Sequence, residues 1–272
     1  MIPVPIHPSS DPFMSAIPKT IKPSTRDRVS KDEWQMRVDL AAAYQLAHIY
    51  KWTDLIYTHF SGRVPGTEDF LINPYGMMFD EITASNLVKI DWDGKIIEDP
   101  LGMGVNEAGF VIHSCIHKAR HEISCVIHTH TRAGVAISAM KCGLLPISQH
   151  AMRVQGDITY HDYEGIALYL EEQERMARDL GKTSKTMILR NHGLLALGET
   201  VREAFEIMYY LDCACQIQID AMSGGMQNVQ LMSDAAAQTS STQFNRPNRP
   251  AGYKDWPALL RMLDRRGIRY AE

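Results

Sequence analysis

The stretch LVKIDWDGKII at residues 87–97 limits the possible folds more than any other. Two apolar runs flank Asp93-Gly94, a dipeptide suited to the tight turn of a β-hairpin. Around it, strand-like and helix-like segments alternate along the chain. Alternation of that kind builds a sheet covered by helices, and a hairpin inside it makes at least part of the sheet antiparallel.

The other elements follow from periodicity and caps. Residues 31–52 repeat apolar positions every three or four and predict a helix capped by Ser30. DFLIN at 69–73 reads as a short strand meeting the turn Pro74-Tyr75-Gly76. Helices are expected over 108–120, 132–140 and 168–180, the last stopped by Gly181. A buried strand is expected over 123–128, a short strand over 157–160, and further strands over 185–190 and 194–197. A long helix over 200–222 carries Thr200 and Glu203 as a capping pair and ends at Gly224-Gly225. Residues 1–28 read as a flexible arm and 29–225 as the main domain. The segment 226–272 reads as a Ser/Gln/Asn/Ala linker followed by a short amphipathic helix, WPALLRMLDRR.

The chain has 272 residues, 45% of them hydrophobic, enough for a core of ordinary density. A net charge of −4 gives no basic field to gather nucleic acid or anionic lipid. No run of eighteen apolar residues points to a membrane span. Five cysteines, an odd number without small-scaffold spacing, fit a reducing cytoplasm better than a disulfide framework, and the start MIPVPIHPSSDPF does not read as a secretory signal. Cys213 and Cys215 lie in a helical pattern and read as core.

The chemistry concentrates in histidines. In CVIHTHT, His128 and His130 are two apart at the end of a strand, so both rings project on one side. His192 stands where the strand MILRN meets His-Gly, the glycine letting the chain bend. Three imidazoles leave a coordination position open, the pattern of catalytic rather than structural zinc. Spacing alone leaves a metal site and ordinary packing or loop histidines both open. His113 and His117, four apart on a helix, read either as packing and supporting groups or as a second metal pair. Tyr160 and Tyr163 read either as a site wall or as a solvated strand end. Arg190-Asn191 reads as fixing the loop by hydrogen bonds.

At this point six stretches carry a resemblance. LIYTHFSGRVPG (55–66), FLINPYGMMFDEITASNLVKID (70–91), NEAGFVIHSCIHKAR (106–120), CVIHTHTRAGVAISAMKCGLLPIS (125–148), YHDYEGIA (160–167) and ILRNHGLLALGETVREAF (188–205) together resemble the class II aldolase/adducin superfamily, in its adducin-like branch. The resemblance implies a three-layer α/β/α domain with a mostly antiparallel or mixed central sheet. It implies a cytoplasmic homotetramer acting on a small molecule, with Zn2+ or another divalent transition metal on His128, His130 and His192. It further implies a lyase that cleaves or decarboxylates a small hydroxy or keto substrate through a metal-stabilised enolate. An epimerase or dehydratase on the same site, or a non-catalytic adducin-like assembly module, are the alternatives.

The likeness has departures. The lyases carry a catalytic glutamate four residues before the position matching His113, and here that position is Gly109. Glu107, two residues away, is the nearest acid and is expected as a proton carrier, with Tyr160 as a second; a first-turn helix acid is the plainer reading of Glu107. Where the lyases bind phosphate on Gly-Asn-x-Ser and Thr-Gly turns, this chain has Thr58-His59-Phe60-Ser61 and Tyr75-Gly76. The expected substrate contacts are therefore His59, Ser61, Arg63, Tyr75, Gly76 and His113. His59 and Arg63 are expected to meet a carboxylate rather than a phosphate.

Overall fold

In a computed structural model, which describes residues 24–165, 170–244 and 250–272, eight strands form one sheet. The chain runs through α1 (Thr25–Arg28), α2 (Lys31–Ile49), β1 (His59–Arg63), β2 (Phe70–Ile72), β3 (Val88–Ile90), β4 (Ile96–Glu98) and α3 (Glu107–Ala119). It continues through β5 (Cys125–Thr129), α4 (Arg132–Ser138), β6 (Ile158–His161), α5 (Leu170–Leu180), β7 (Thr186–Leu189) and β8 (Gly193–Gly198). The helices α6 (Val201–Met222), α7 (Asp234–Phe244) and α8 (Asp255–Arg265) complete it. The strand order is β4-β3-β2-β1-β5-β8-β7-β6. Every neighbouring pair is antiparallel except β6 with β7.

Both faces of the sheet are covered, which explains why β5, β7 and β8 read as largely apolar runs. Cys125, Ile127, Leu194 and Ala196 face a core shared with α2 and α6. Val126, Leu195 and Leu197 face the opposite core, with Ile112 and Ile116 of α3 and Met176 and Leu180 of α5. The layering is helix, sheet, helix. The Asp93-Gly94 hairpin joins β3 to β4, with Gly94 at φ 85. Ser30 caps α2 by accepting from the Glu33 N–H, and Thr200 caps α6 by accepting from the Glu203 N–H. Glu203 reaches back one residue further than a capping box would, to the Glu199 N–H.

Three expectations are corrected. The segment read as linker contains α7, whose Ala-rich run is a good helix former even without an apolar stripe. Residues 24–28 of the expected arm include α1, where buried Thr25 donates to the Ser85 carbonyl; residues 1–23 lie outside the described residues. Residues 166–169, the start of the expected 168–180 helix and the end of YHDYEGIA, also lie outside them. Trp256 and Leu263 of α8, with Tyr270 beyond it, join the larger core. Among the described residues no helix is long and apolar enough to cross a membrane. Of the two cysteines read as core, Cys215 is buried and Cys213 half-buried.

One side chain holds open the seam between β1 and β2. The register pairs Ser61 with Ile72, so the next rung would pair Phe60 with Asn73. The Tyr44 hydroxyl of α2 occupies that rung instead. It accepts from the N–H groups of Phe60 and Asn73 and lies 2.6 Å from the Phe60 carbonyl and 2.8 Å from Asn73 Oδ1. Tyr44→Phe keeps the ring stack on Phe60 and strands buried backbone donors, and is expected to lower unfolding stability by about 1–3 kcal/mol in urea titrations.

Candidate metal centre

Strand β5 ends at Thr129 and α4 starts at Arg132, capped by Thr131, whose hydroxyl accepts from the Gly134 N–H. The chain therefore leaves the sheet directly after His130. The β7–β8 turn bends at Asn191, which holds φ at 56, a region asparagine tolerates better than most residues. The bend expected of Gly193 is thus made one residue earlier than His192. Gly193 is needed for a different reason: a Cβ there would lie 2.4 Å from the Thr129 carbonyl oxygen. Only glycine lets β8 come this close to β5, and that approach carries His192 to His128 and His130.

The three rings form a nearly equilateral triangle, with centroid separations of 4.7, 4.8 and 4.8 Å. Each can offer one nitrogen, and these atoms lie within 4.8 Å of one another. Hydrogen bonds at the outer edges determine which nitrogens are offered. His128 Nδ1 lies 3.0 Å from the Leu194 carbonyl and His130 Nδ1 lies 2.9 Å from an Asp54 carboxylate oxygen. Both partners only accept, so both Nδ1 atoms carry hydrogen. In neutral rings the two Nε2 atoms then present lone pairs to each other at 2.9 Å, an arrangement of two acceptors that a cation between them resolves. Tetrahedral coordination at roughly 2.1 Å separates ligand nitrogens by about 3.4 Å, a small adjustment. The donor set fits zinc, and manganese, iron, cobalt and nickel also bind imidazole.

Burial holds His128 and His192 in the neutral form that a metal requires. It pushes the His128 pKa well below the ordinary value, with the neighbouring His192, His59 and His130 adding to the effect. Burial, then His130, brings His192 down to about 4. Asp54, which orients His130, was not foreseen, because a half-buried turn acid in WTDLIY carries no periodic or motif signal. Its turn is strained: the next residue, Leu55, is 64% exposed and holds φ at 48, at a cost of about 1–3 kcal/mol for a branched apolar residue.

The remaining expected site residues separate into two groups. His59 pairs in register with His128, their ring centroids 5.1 Å apart, so it belongs beside the triad. Tyr163 is exposed, with its ring 6.3 Å from that of His192. Glu107, the first residue of α3, is exposed, and its side chain makes no hydrogen bond or ion pair among the described residues. Tyr75 and Gly76 form an exposed turn against Gly104 and Met103.

Ser61, Arg63 and His113 are corrected as substrate contacts. Alternation along β1 turns 59, 61 and 63 to one face, and α3 covers that face. Ser61 Oγ bonds to His113 and His117, and Arg63 donates to the carbonyls of His117, Arg120 and Ile123 beneath the Trp92 ring. All three are buried, Ser61 and His113 completely. Tyr160 is corrected as well. Its hydroxyl accepts from the Leu144 N–H, Arg190 lies over its ring, and it packs on the sheet face opposite His128. Arg190 and Asn191 do fix the loop, bonding to the carbonyls of Met140 and Ser138.

A family model described as Class II Aldolase and Adducin N-terminal domain matches residues 38–219. A candidate aldolase class 2 protein of Pseudomonas aeruginosa is 47% identical over 249 residues, covering 90% of this chain and 95% of its own. Mouse alpha-adducin is 43% identical over 255 residues, 88% of this chain but 34% of the adducin. Among solved structures, an aldolase II superfamily protein from Pseudomonas syringae superposes with a TM-score of 0.87 at 53% identity, over 92% of this chain and all of its own. L-fuculose 1-phosphate aldolase from Glaciozyma antarctica does so with a TM-score of 0.78 at 27% identity, over 88% of this chain and 93% of its own.

Two outcomes test this geometry. Asp54→Ala frees the His130 ring and is expected to weaken metal affinity about 10–100-fold in chelator competition. Burial also depresses His117, to about 3, so the unfolded chain binds more protons between that value and about 6.5. Stability is therefore full above about 6.5 and falls as the pH drops toward 3. His117 alone accounts for roughly 2 kcal/mol at pH 5, and urea midpoints at pH 7.5 and 5 are expected to show a smaller gap in His117→Gln.

Proposed function

Because this chain belongs to the class II aldolase and adducin family, we propose that it is a metal-dependent lyase that cleaves or decarboxylates a small hydroxy or keto substrate. The observation that carries the reading is the convergence of His128, His130 and His192, whose ligand nitrogens lie within 4.8 Å of one another. Three imidazoles with a free coordination position suit catalysis. When bound there, a divalent cation, zinc in the first instance, supplies Lewis acidity toward substrate oxygens.

The chain's own residues favour the decarboxylating branch. At Gly109 a Cβ would lie 2.7 Å from the His59 ring, so His59 occupies the space that a side chain there would need. Breaking the bond to a carboxylate sends its electron pair into the adjacent carbonyl and releases carbon dioxide, a step that needs an electron sink more than a base. Of the two expected proton carriers, Glu107 is the accessible one, at the start of α3 and two residues from Gly109. A cytoplasmic homotetramer is the assembly we propose, in keeping with the family. The identity to alpha-adducin favours a second reading, an assembly head that keeps its metal without turnover.

Elemental analysis of protein purified without added metal, followed by a screen of metal-loaded and chelated enzyme on keto acids, hydroxy acids and ketose phosphates, separates the readings. The expected result is about one divalent ion per chain and chelator-sensitive release of carbon dioxide or aldehyde. His192→Ala is expected to reduce that release by at least about 100-fold, the scale lost with a principal electrostatic contact. Bound metal without turnover on any substrate leaves the assembly reading; absence of metal overturns both.

A further inference from the structure

An unbroken line of buried polar groups runs between β1 and α3, away from the triad. His59 Nδ1 lies 2.8 Å from His113 Nε2, and His113 Nδ1 lies 2.5 Å from Ser61 Oγ. Ser61 Oγ lies 2.8 Å from His117 Nε2, and His117 Nδ1 faces Arg63 Nη2 at 3.5 Å. His113, Ser61 and His117 have no exposed surface, and His59 is 3% exposed. Each neutral imidazole has one hydrogen and one lone pair, and the serine has one hydrogen. In such a line, the direction chosen at one end dictates every hydrogen to the other.

Arg63 supplies that end. Its guanidinium holds only donors and a positive charge, so the ring nitrogen that meets it must turn a lone pair toward it. His117 then carries its hydrogen on Nε2 and donates to Ser61. Ser61 donates to His113 Nδ1, and His113 donates from Nε2 to His59 Nδ1. The His59 hydrogen is left on Nε2. Two carbonyls pull the other way, those of Ile123 near His117 and of His59 itself. Arg63 Nη2 gives its hydrogens to the carbonyls of His117 and Arg120, so it meets His117 Nδ1 at 3.5 Å as a positive charge, and that charge disfavours an N–H turned toward it more than a neutral carbonyl favours one.

His59 Nε2 has no hydrogen-bond partner among the described residues. Its ring sits between His128 and the first turn of α3 at Gly109. We propose that Arg63, acting through His117, Ser61 and His113, sets His59 as a hydrogen-bond donor at the triad, there to receive a negatively charged substrate oxygen. His59 is the contact; Arg63, His117, Ser61 and His113 are positioning residues. A neutral N–H of this kind selects carboxylate or enolate oxygens and rejects ammonium groups. Its use on substrate rests on the lyase reading above; the direction of the line does not.

Neutron diffraction from perdeuterated crystals of the full chain reads these hydrogens directly. The expected map has deuterium on Nε2 and none on Nδ1 at His59, His113 and His117. Arg63→Met, which removes the cation and keeps the stem, is expected to populate Nδ1–D at His117. Ser61→Ala cuts the line with Arg63 in place: His117 keeps Nε2–D while His113 and His59 become mixed. Glycolate, a small hydroxy acid, serves as the binding probe on metal-loaded protein in calorimetry. It is expected to bind about ten-fold more weakly to Ser61→Ala with metal content unchanged, the weight of one hydrogen bond to a charged group. Deuterium on His59 Nδ1 in the native protein, or an unchanged His59 in both variants, overturns the proposal. Unchanged glycolate affinity in Ser61→Ala overturns the substrate contact. A native map as expected in a protein that binds no metal leaves the polarised line standing and removes the lyase reading instead.

Discussion

The pairing of β5 with β1 on one side and β8 on the other governs the rest of the molecule. It puts His128 in register with both His59 and Leu195. It also sets the Leu194 carbonyl against the His128 ring. Because side chains alternate along a strand, this register places His128, His59, Ser61 and Arg63 on the α3 face and leaves the other face of the same strands to Cys125, Ile127 and Phe60. A slip of one residue would exchange a polar row for an apolar one and bury charge against α2 and α6. The register is therefore enforced by solvation as much as by the ladder itself.

The steric condition for that pairing is carried by Gly193, whose missing Cβ lets the two backbones approach. The electrostatic condition lies further out. Asp54 and the Leu194 carbonyl hold hydrogens on the outer nitrogens of His130 and His128, so the inner nitrogens converge as acceptors. Neither condition is a property of the histidines. The same three residues on a looser turn, or with opposite tautomers, would make an ordinary hydrogen-bonded cluster.

Much of the fold was legible where a single local rule decides the outcome. Asp93-Gly94 announces its hairpin, Ser30 and Thr200 announce their helices, and alternation in CVIHTHT puts two rings on one side. The illegible parts are those where tertiary context overrides composition. HFSGR carries no apolar period, because every second residue contacts a helix through polar atoms, so β1 does not read as a strand and its residues read as open substrate contacts. Asp54 lies 76 positions from the ring it orients. The Ala/Gln/Ser/Thr composition of α7 suits a linker as well as a helix lying on the surface. The likeness to the family pointed to His128, His130 and His192, whose rings converge, yet it could not report that His59 fills the space above Gly109.

That exchange bears on why the interior is polar at all. Three imidazoles, a hydroxyl and a guanidinium between β1 and α3 could be replaced by a well-packed apolar layer, and buried polar networks are commonly no more stable than such replacements. They are tolerated only when every member is satisfied. Here each inner atom has a partner, and among the described residues the line ends unpaired at one nitrogen only, His59 Nε2, in the ring beside His128. A network built for stability alone would close both ends. One that leaves its open end beside three convergent imidazoles has a direction, and a direction in a chain of neutral groups is information about which oxygen belongs at the end of it.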